Sequence, residues 1–210
     1  MAWFVRTTRL GMHMVYAQQG KLACGIASVI MVNNIMRMRH FDFADSILKE
    51  EDVYAAYSRA SGKPYDGKVS GTSAFHLATV LNGLGIGEWE YNRVVAPGIA
   101  GALINAVGIP YGAPAIVNIH WDDQGWHGHW VVCSTIGRQW GTTALADFLD
   151  PKDAQARTLQ LTRGVPVRYV TPVEHESLEA HKFYANGNAG TMGGVGPGKM
   201  LGGVIRLKSW

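Results

Sequence analysis

The sequence predicts an α+β domain in which helices come first and an antiparallel sheet follows. Two observations carry this. The first half places apolar residues at helical spacing, and the second half holds short β-branched and aromatic runs separated by turn residues. Size agrees: 210 residues, 47% hydrophobic and 17% charged, are enough to bury a core and are not the balance of a disordered chain.

Residues 1–20 read as extended or irregular. From Cys24 the run CGIASVIMVNNIMRMR repeats Ile26, Val29, Ile30, Asn33 and Met36 or Arg37 at helical spacing, so this helix should be largely buried. A second helix is expected over about residues 44–60. A third covers SAFHLATVLN, with Thr72 or Ser73 as N-cap and Gly83 or Gly85 as its stop. EWEYNRVV reads as a short strand. PGIAGALINAVG reads as a helix with Pro97 in its first turn and Gly108 at its end. PAIVNIHW, GHWVVCSTI, TTALADFLD and VPVRYVT are then strands of one antiparallel sheet packed on the first helix. The run NGNAGTMGGVGPGKMLGG is expected to be flexible, which divides the chain into a domain over 1–172 and a glycine-rich extension over 173–210.

Composition excludes some classes. The net charge of +3 is small and scattered, so no nucleic-acid partner is expected. No run is long and apolar enough for a membrane span. The start, MAWFVRTTRLGMHMVYAQQG, has no long apolar core and no clear cleavage site, so no classical signal peptide is expected. The two cysteines, Cys24 and Cys133, are not needed as a disulfide in a chain of this size, and a reduced compartment is the simpler setting.

Cys24 stands where the first helix begins. Unpaired N–H groups and the helix dipole favour a thiolate there, and Gly25 leaves room for a substrate backbone. A small buried core cysteine is the plain alternative. Gln18 lies six positions earlier (24 − 18 = 6), close enough for its amide to donate to an oxyanion beside the sulfur. His129 opens an apolar strand, whose alternation puts it on one face with Val131 and Cys133, and it can serve as base and then acid. Asp150, before Pro151, can orient His129 through the other ring nitrogen. Asp147 is its rival; the odd spacing sends the two aspartates to opposite faces, so only one can serve.

Gln18-x5-Cys24-Gly25-Ile26-Ala27 followed by an apolar helix resembles the start of the papain-like C39 peptidases, the double-glycine peptidases of bacteriocin exporters. Gly108-Ile109-Pro110, PAIVNI, His129-Trp130-Val131-Val132 and Asp150-Pro151 follow in that family's order, so the resemblance spans residues 18–151. It implies a papain-like fold, with N-terminal helices packed on an antiparallel sheet, and cleavage of protein substrates, often after Gly-Gly. Carried over, Cys24 is nucleophile, His129 base, Asp150 orienter and Gln18 oxyanion donor, with no cofactor and no metal. The 210 residues hold no exporter membrane domain or ATP-binding domain. The expectation is therefore a free-standing peptidase, cytoplasmic in its producer. Papain-like effector peptidases share the pattern. The further expectation is a toxin delivered into host or rival cells by a specialised secretion system and checked by an immunity or inhibitor protein. The tail's Gly193-Gly194 and Gly202-Gly203 raise self-cleavage, against the plainer reading of a flexible segment.

Three other readings compete. A Cys–His amidase on peptidoglycan, a deamidase or a transglutaminase would use the same thiolate. His127-Gly128-His129 with His120, Asp122 and Asp123 offers metal-ligand types at loose spacing. A non-catalytic binding module is the third, with Trp121, Trp126 and Trp130 lining a groove or simply filling the core.

Overall fold

The computed structural model describes residues 3–39, 48–108, 112–121, 128–171 and 196–209. The chain opens with a hairpin of β1 (Trp3–Thr7) and β2 (Met12–Tyr16), closed by a turn in which the Thr8 N–H donates to the Gly11 carbonyl at 2.8 Å. Helix α1 (Cys24–Arg39) begins at the cysteine itself, and every residue from Cys24 to Asn33 is buried. Its sequence is apolar nearly all round in that stretch, so it needs cover on every side.

That cover comes from two shorter helices and the sheet. Helix α2 (Glu50–Ser61) has three acidic residues in its first turn, matching the dipole, and ends on Gly62 in the left-handed region (φ 69°). The expected span of 44–60 is thus later at its start, with residues 44–47 outside those described. Helix α3 (Ala74–Gly83) follows Ser73, which caps without a side-chain hydrogen bond. β3 (Glu88–Asn92) and α4 (Ala96–Val107), with Pro97 in its first turn and Gly108 at its end, fall where sequence spacing puts them.

The second half builds the sheet: β4 (Ala115–Trp121), β5 (Gly128–Ile136), β6 (Thr143–Asp150), β7 (Gln155–Thr162), β8 (Arg168–Thr171) and β9 (Gly196–Ser209). All pairings are antiparallel, in the order β3-β9-β4-β5-β6-β7, with β8 also on β9. Strand alternation divides the core. Ile116, Trp130, Val132, Leu149 and Ile205 face α1–α3, whereas Ala115, Val117, Val131, Cys133, Phe148 and Val204 face α4. The architecture is α+β, with helices on both faces of one sheet.

The C-terminal segment corrects an expectation. Residues 196–209 are not a flexible extension: β9 lies between β3 and β4, inside the sheet. Val204 and Ile205 are buried on its opposite faces. Glycine content suggested mobility, but Gly203 serves close packing: its φ is 139°, and a Cβ there would overlap the Asn92 carbonyl. With Gly203 buried in this strand, Gly202-Gly203 is not presented for self-cleavage; Gly193-Gly194 lies outside the described residues. No described helix is long and apolar enough to cross a membrane.

Candidate active site

Helix α1, the start of β5 and the end of β6 meet at one end of the sheet, and each brings one side chain. Cys24 is the first residue of α1, His129 the second of β5 and Asp150 the last of β6. The His129 Nε2–H donates to Asp150 Oδ1 at 2.7 Å. The ring is also hydrogen-bonded to the Cys24 thiol, which leaves Nδ1 as the nitrogen facing sulfur. Of the two aspartates weighed from the sequence, Asp150 is the one that meets His129, and strand alternation is the reason. Asp147 points to the opposite face, where it accepts from His13 Nε2 at 2.7 Å, from Thr158 at 2.7 Å and from Thr8.

Burial strips solvent from His129 and by itself would lower its pKa. The Asp150 carboxylate more than reverses this, aided by hydrogen bonds to Asp150 and Cys24, and the imidazole is held up at about 9. Burial alone would raise Asp150; the facing His129, the Arg157 charge and the Lys152 backbone N–H instead hold it well below the usual carboxylate range. An imidazolium is thus stabilised at the position where a cysteine's proton would go.

Sequence reasoning missed what stands behind the aspartate. Asp150 Oδ2 accepts from the Tyr169 hydroxyl at 2.8 Å and lies 3.4 Å from Arg157 Nη1. Arg157 also pairs with Asp153 through both of its terminal nitrogens and donates to the Tyr169 oxygen at 3.2 Å. Both oxygens of Asp150 are therefore engaged, and the carboxylate is held in the plane that serves His129. Asp153 and Arg157 at i, i+4 spacing were a visible charge pair, but nothing in the sequence tied Tyr169 to them.

Gln18 is buried in the loop that leads to Cys24, though not in the expected pose. Its Nε2 donates to the carbonyls of Gly20 and Lys21, at 2.9 and 3.2 Å, and its Oε1 has no hydrogen-bond partner among the described residues. The side chain holds the loop that leads into α1. That loop is fixed further by the Gln18 N–H on the Pro151 carbonyl at 2.9 Å and by the buried Glu50, which accepts from the Gln19 N–H and the Tyr54 hydroxyl, both at 2.9 Å. Gly25 departs from expectation as well. The space beside its Cα belongs to Thr72 and Leu77 rather than to substrate: a Cβ would overlap Thr72 Oγ1 and come within 2.9 Å of Leu77 Cδ1.

Cys24 is 8% exposed and opens into a cleft of about 310 Å³ lined by Thr72, Asn118, His120, Gly128 and Trp130, among others. The Trp130 indole N–H donates to the Thr72 carbonyl at 3.3 Å and closes one wall. A larger groove, about 560 Å³, runs between the hairpin and the C-terminal end of α1; it touches none of Cys24, His129 or Asp150, so the smaller cleft is the one that matters for their chemistry.

Cys133 is fully buried in the core under α4, and burial pushes its thiol up; both cysteines are free. Of the metal-ligand types noted in the sequence, His127, Asp122 and Asp123 lie outside the described residues, as does Trp126. Among the described residues no group of three potential ligands converges. No protein-family model matches the chain, and no curated protein matches it.

Proposed function

We propose that the chain is a cysteine peptidase of the papain-like type, with Cys24 as nucleophile. One observation supports it above the others: His129 bridges Cys24 and a fully buried Asp150 that is itself held by Tyr169 and Arg157. A buried carboxylate–imidazole pair carries no function by itself, as His13–Asp147 shows, but the His129–Asp150 pair ends on a thiol at a helix N-terminus.

The chemistry follows from the positions. Cys24 gives its proton to His129 Nδ1, and Sγ attacks the carbonyl carbon of the scissile amide. The carbonyl π pair moves onto oxygen, stabilised by the Cys24 backbone N–H and by a Gln18 amide that would have to turn from its loop carbonyls. As the tetrahedral centre collapses, His129 passes its proton to the leaving amine, the C–N bond breaks and a thioester remains. Water then loses a proton to His129, attacks the thioester and releases the acid, while the proton returns to Cys24. Asp150 stays ionised throughout and stabilises imidazolium in both halves.

The same reading extends to a protein substrate cut after paired glycines, a preference that suits a cleft of only about 310 Å³. It extends also to the role of a delivered effector toxin restrained by an immunity or inhibitor protein. The deciding experiment is capture of protein substrates on the Cys24→Ala variant, with wild-type protein digesting the captured species. Undiminished activity in Cys24→Ala sinks the reading. Release of ammonia from side-chain amides without chain cleavage makes it a deamidase instead, and cleavage of muropeptides alone makes it a peptidoglycan amidase.

A further inference from the structure

Asn118 lies in the middle of β4, opposite Trp130 on β5. It is 8% exposed and lines the Cys24 cleft. Its carboxamide is in the wall of that cleft, beside the Cα of Gly128. Its polar atoms are not sealed inside the protein, so the carboxamide is open to a group that enters the cleft beside Cys24. A carboxamide carries a donor and an acceptor together, and its natural partner carries the same two groups in reverse: another amide.

The position is prepared for this. A Cβ on Gly128 would lie 2.8 Å from Asn118 Oδ1 and 2.9 Å from Nδ2, so the glycine makes room for the head of the asparagine and keeps it over the cleft. His120, two residues along and on the same strand face, adds a second polar group to the wall, and burial lowers its pKa, which keeps the ring neutral. Among the described residues the cleft has no charged lining, so nothing described there competes with the amide for a substrate's polar groups.

We infer that Asn118 is the specificity-determining residue of the cleft, its carboxamide pairing with an amide group of the substrate next to the scissile bond. That amide comes either from a main-chain peptide unit or from an asparagine or glutamine side chain. The inference rests on the reading of Cys24 as nucleophile, since it is Cys24 that makes the cleft a reaction site.

The test measures equilibrium binding of a mixture of capped tetrapeptides to Cys24→Ala protein, which separates recognition from turnover. Adding Asn118→Leu to that background should weaken the retained peptides by roughly 5-fold to 30-fold, the usual worth of a hydrogen bond lost inside a closed site. Gly128→Ala, which displaces the same head group without removing it, should do likewise. N-methylation of one peptide nitrogen abolishes the effect of Asn118→Leu if the partner is main chain; replacing Gln by Met in the peptide abolishes it if the partner is a side chain. Thermal unfolding at an unchanged midpoint and an unchanged circular-dichroism spectrum check that the variants are folded. If no peptide is retained, or if Asn118→Leu retains the same peptides equally well, the inference is wrong. Digestion by protein with Cys24 intact separates the two readings. Asn118-dependent binding without cleavage overturns the peptidase and leaves the subsite; cleavage indifferent to Asn118 overturns the subsite and leaves the peptidase.

Discussion

Asp147 and Asp150 stand one short stretch of β6 apart, are both fully buried, and hold different histidines on opposite faces of the sheet, His13 and His129, each at 2.7 Å. One pair pins the N-terminal hairpin to the sheet, and the other reaches the cysteine. The two pairs look alike in sequence and differ in what lies beyond the imidazole: a serine hydroxyl 3.5 Å from His13, a helix-start thiol at His129.

The pH behaviour of the His129–Asp150 pair has a definite sign. His129 is raised above its ordinary value of 6.5 to about 9, so its contribution to stability is complete below 6.5 and is lost as pH rises through about 9. Asp150 is lowered from 3.8, so its contribution is present above 3.8 and is lost as pH falls from there through its lowered folded value. Activity should show an alkaline limb near pH 9, where His129 no longer carries the proton for the leaving amine. Asp150→Asn removes the charge that raises His129 and should move that limb toward acid; a limb that stays in place in the variant contradicts the assignment.

Cys24→Ala should lower peptide hydrolysis by on the order of 10³-fold or more, since the covalent route is lost, without loss of folded protein. Steady-state turnover and thermal unfolding, measured on the same preparation, check both halves of the statement.

Tyr169→Phe removes one donor from Asp150 and leaves Arg157 and the Lys152 N–H in place. The cost should be about 1–2 kcal/mol in urea unfolding, because a buried carboxylate oxygen loses a partner it cannot replace with water. A fall in kcat larger than the change in KM would mark Tyr169 as a positioning residue for the His129 ring rather than for substrate.

His13→Ala leaves buried Asp147 with only its threonine donors, Thr8 and Thr158, among the described side chains. Destabilisation of about 2 kcal/mol is expected, with the Cys24 alkylation rate unchanged, since the hairpin pair shares no residue with the site. Loss of alkylation alongside a normal melting temperature would contradict this separation.

Gly25→Ala should destabilise by about 1–3 kcal/mol, because the new methyl meets Thr72 and Leu77. Thr72→Gly should recover much of that loss in the double variant. Additive effects of the two changes would mean that the overlap is not the cause.

The sequence by itself determined the local elements and the chemistry on offer. Periodicity located α3, α4 and the strands β3, β4, β5, β6 and β8, though not β7 (Gln155–Thr162) or β9, and it made α1 a buried helix, because apolar spacing is a local property that any compact fold must respect. It also put forward Cys24, His129 and one of Asp150 or Asp147, since residue types and strand alternation limit which side chains can meet; the fold decided for Asp150. Tertiary structure decided what depends on distant partners. A glycine-rich run became part of a central strand because Val204 and Ile205 complete both cores and Gly203 fits beneath Asn92. Gln18 turned to its own loop because two carbonyls lie within its reach there. Tyr169, Arg157 and Asn118 acquired roles only when β8, β7 and β4 were brought to one end of the sheet, because hydrogen bonds and cleft walls are set by positions in space, which no spacing along the chain reveals.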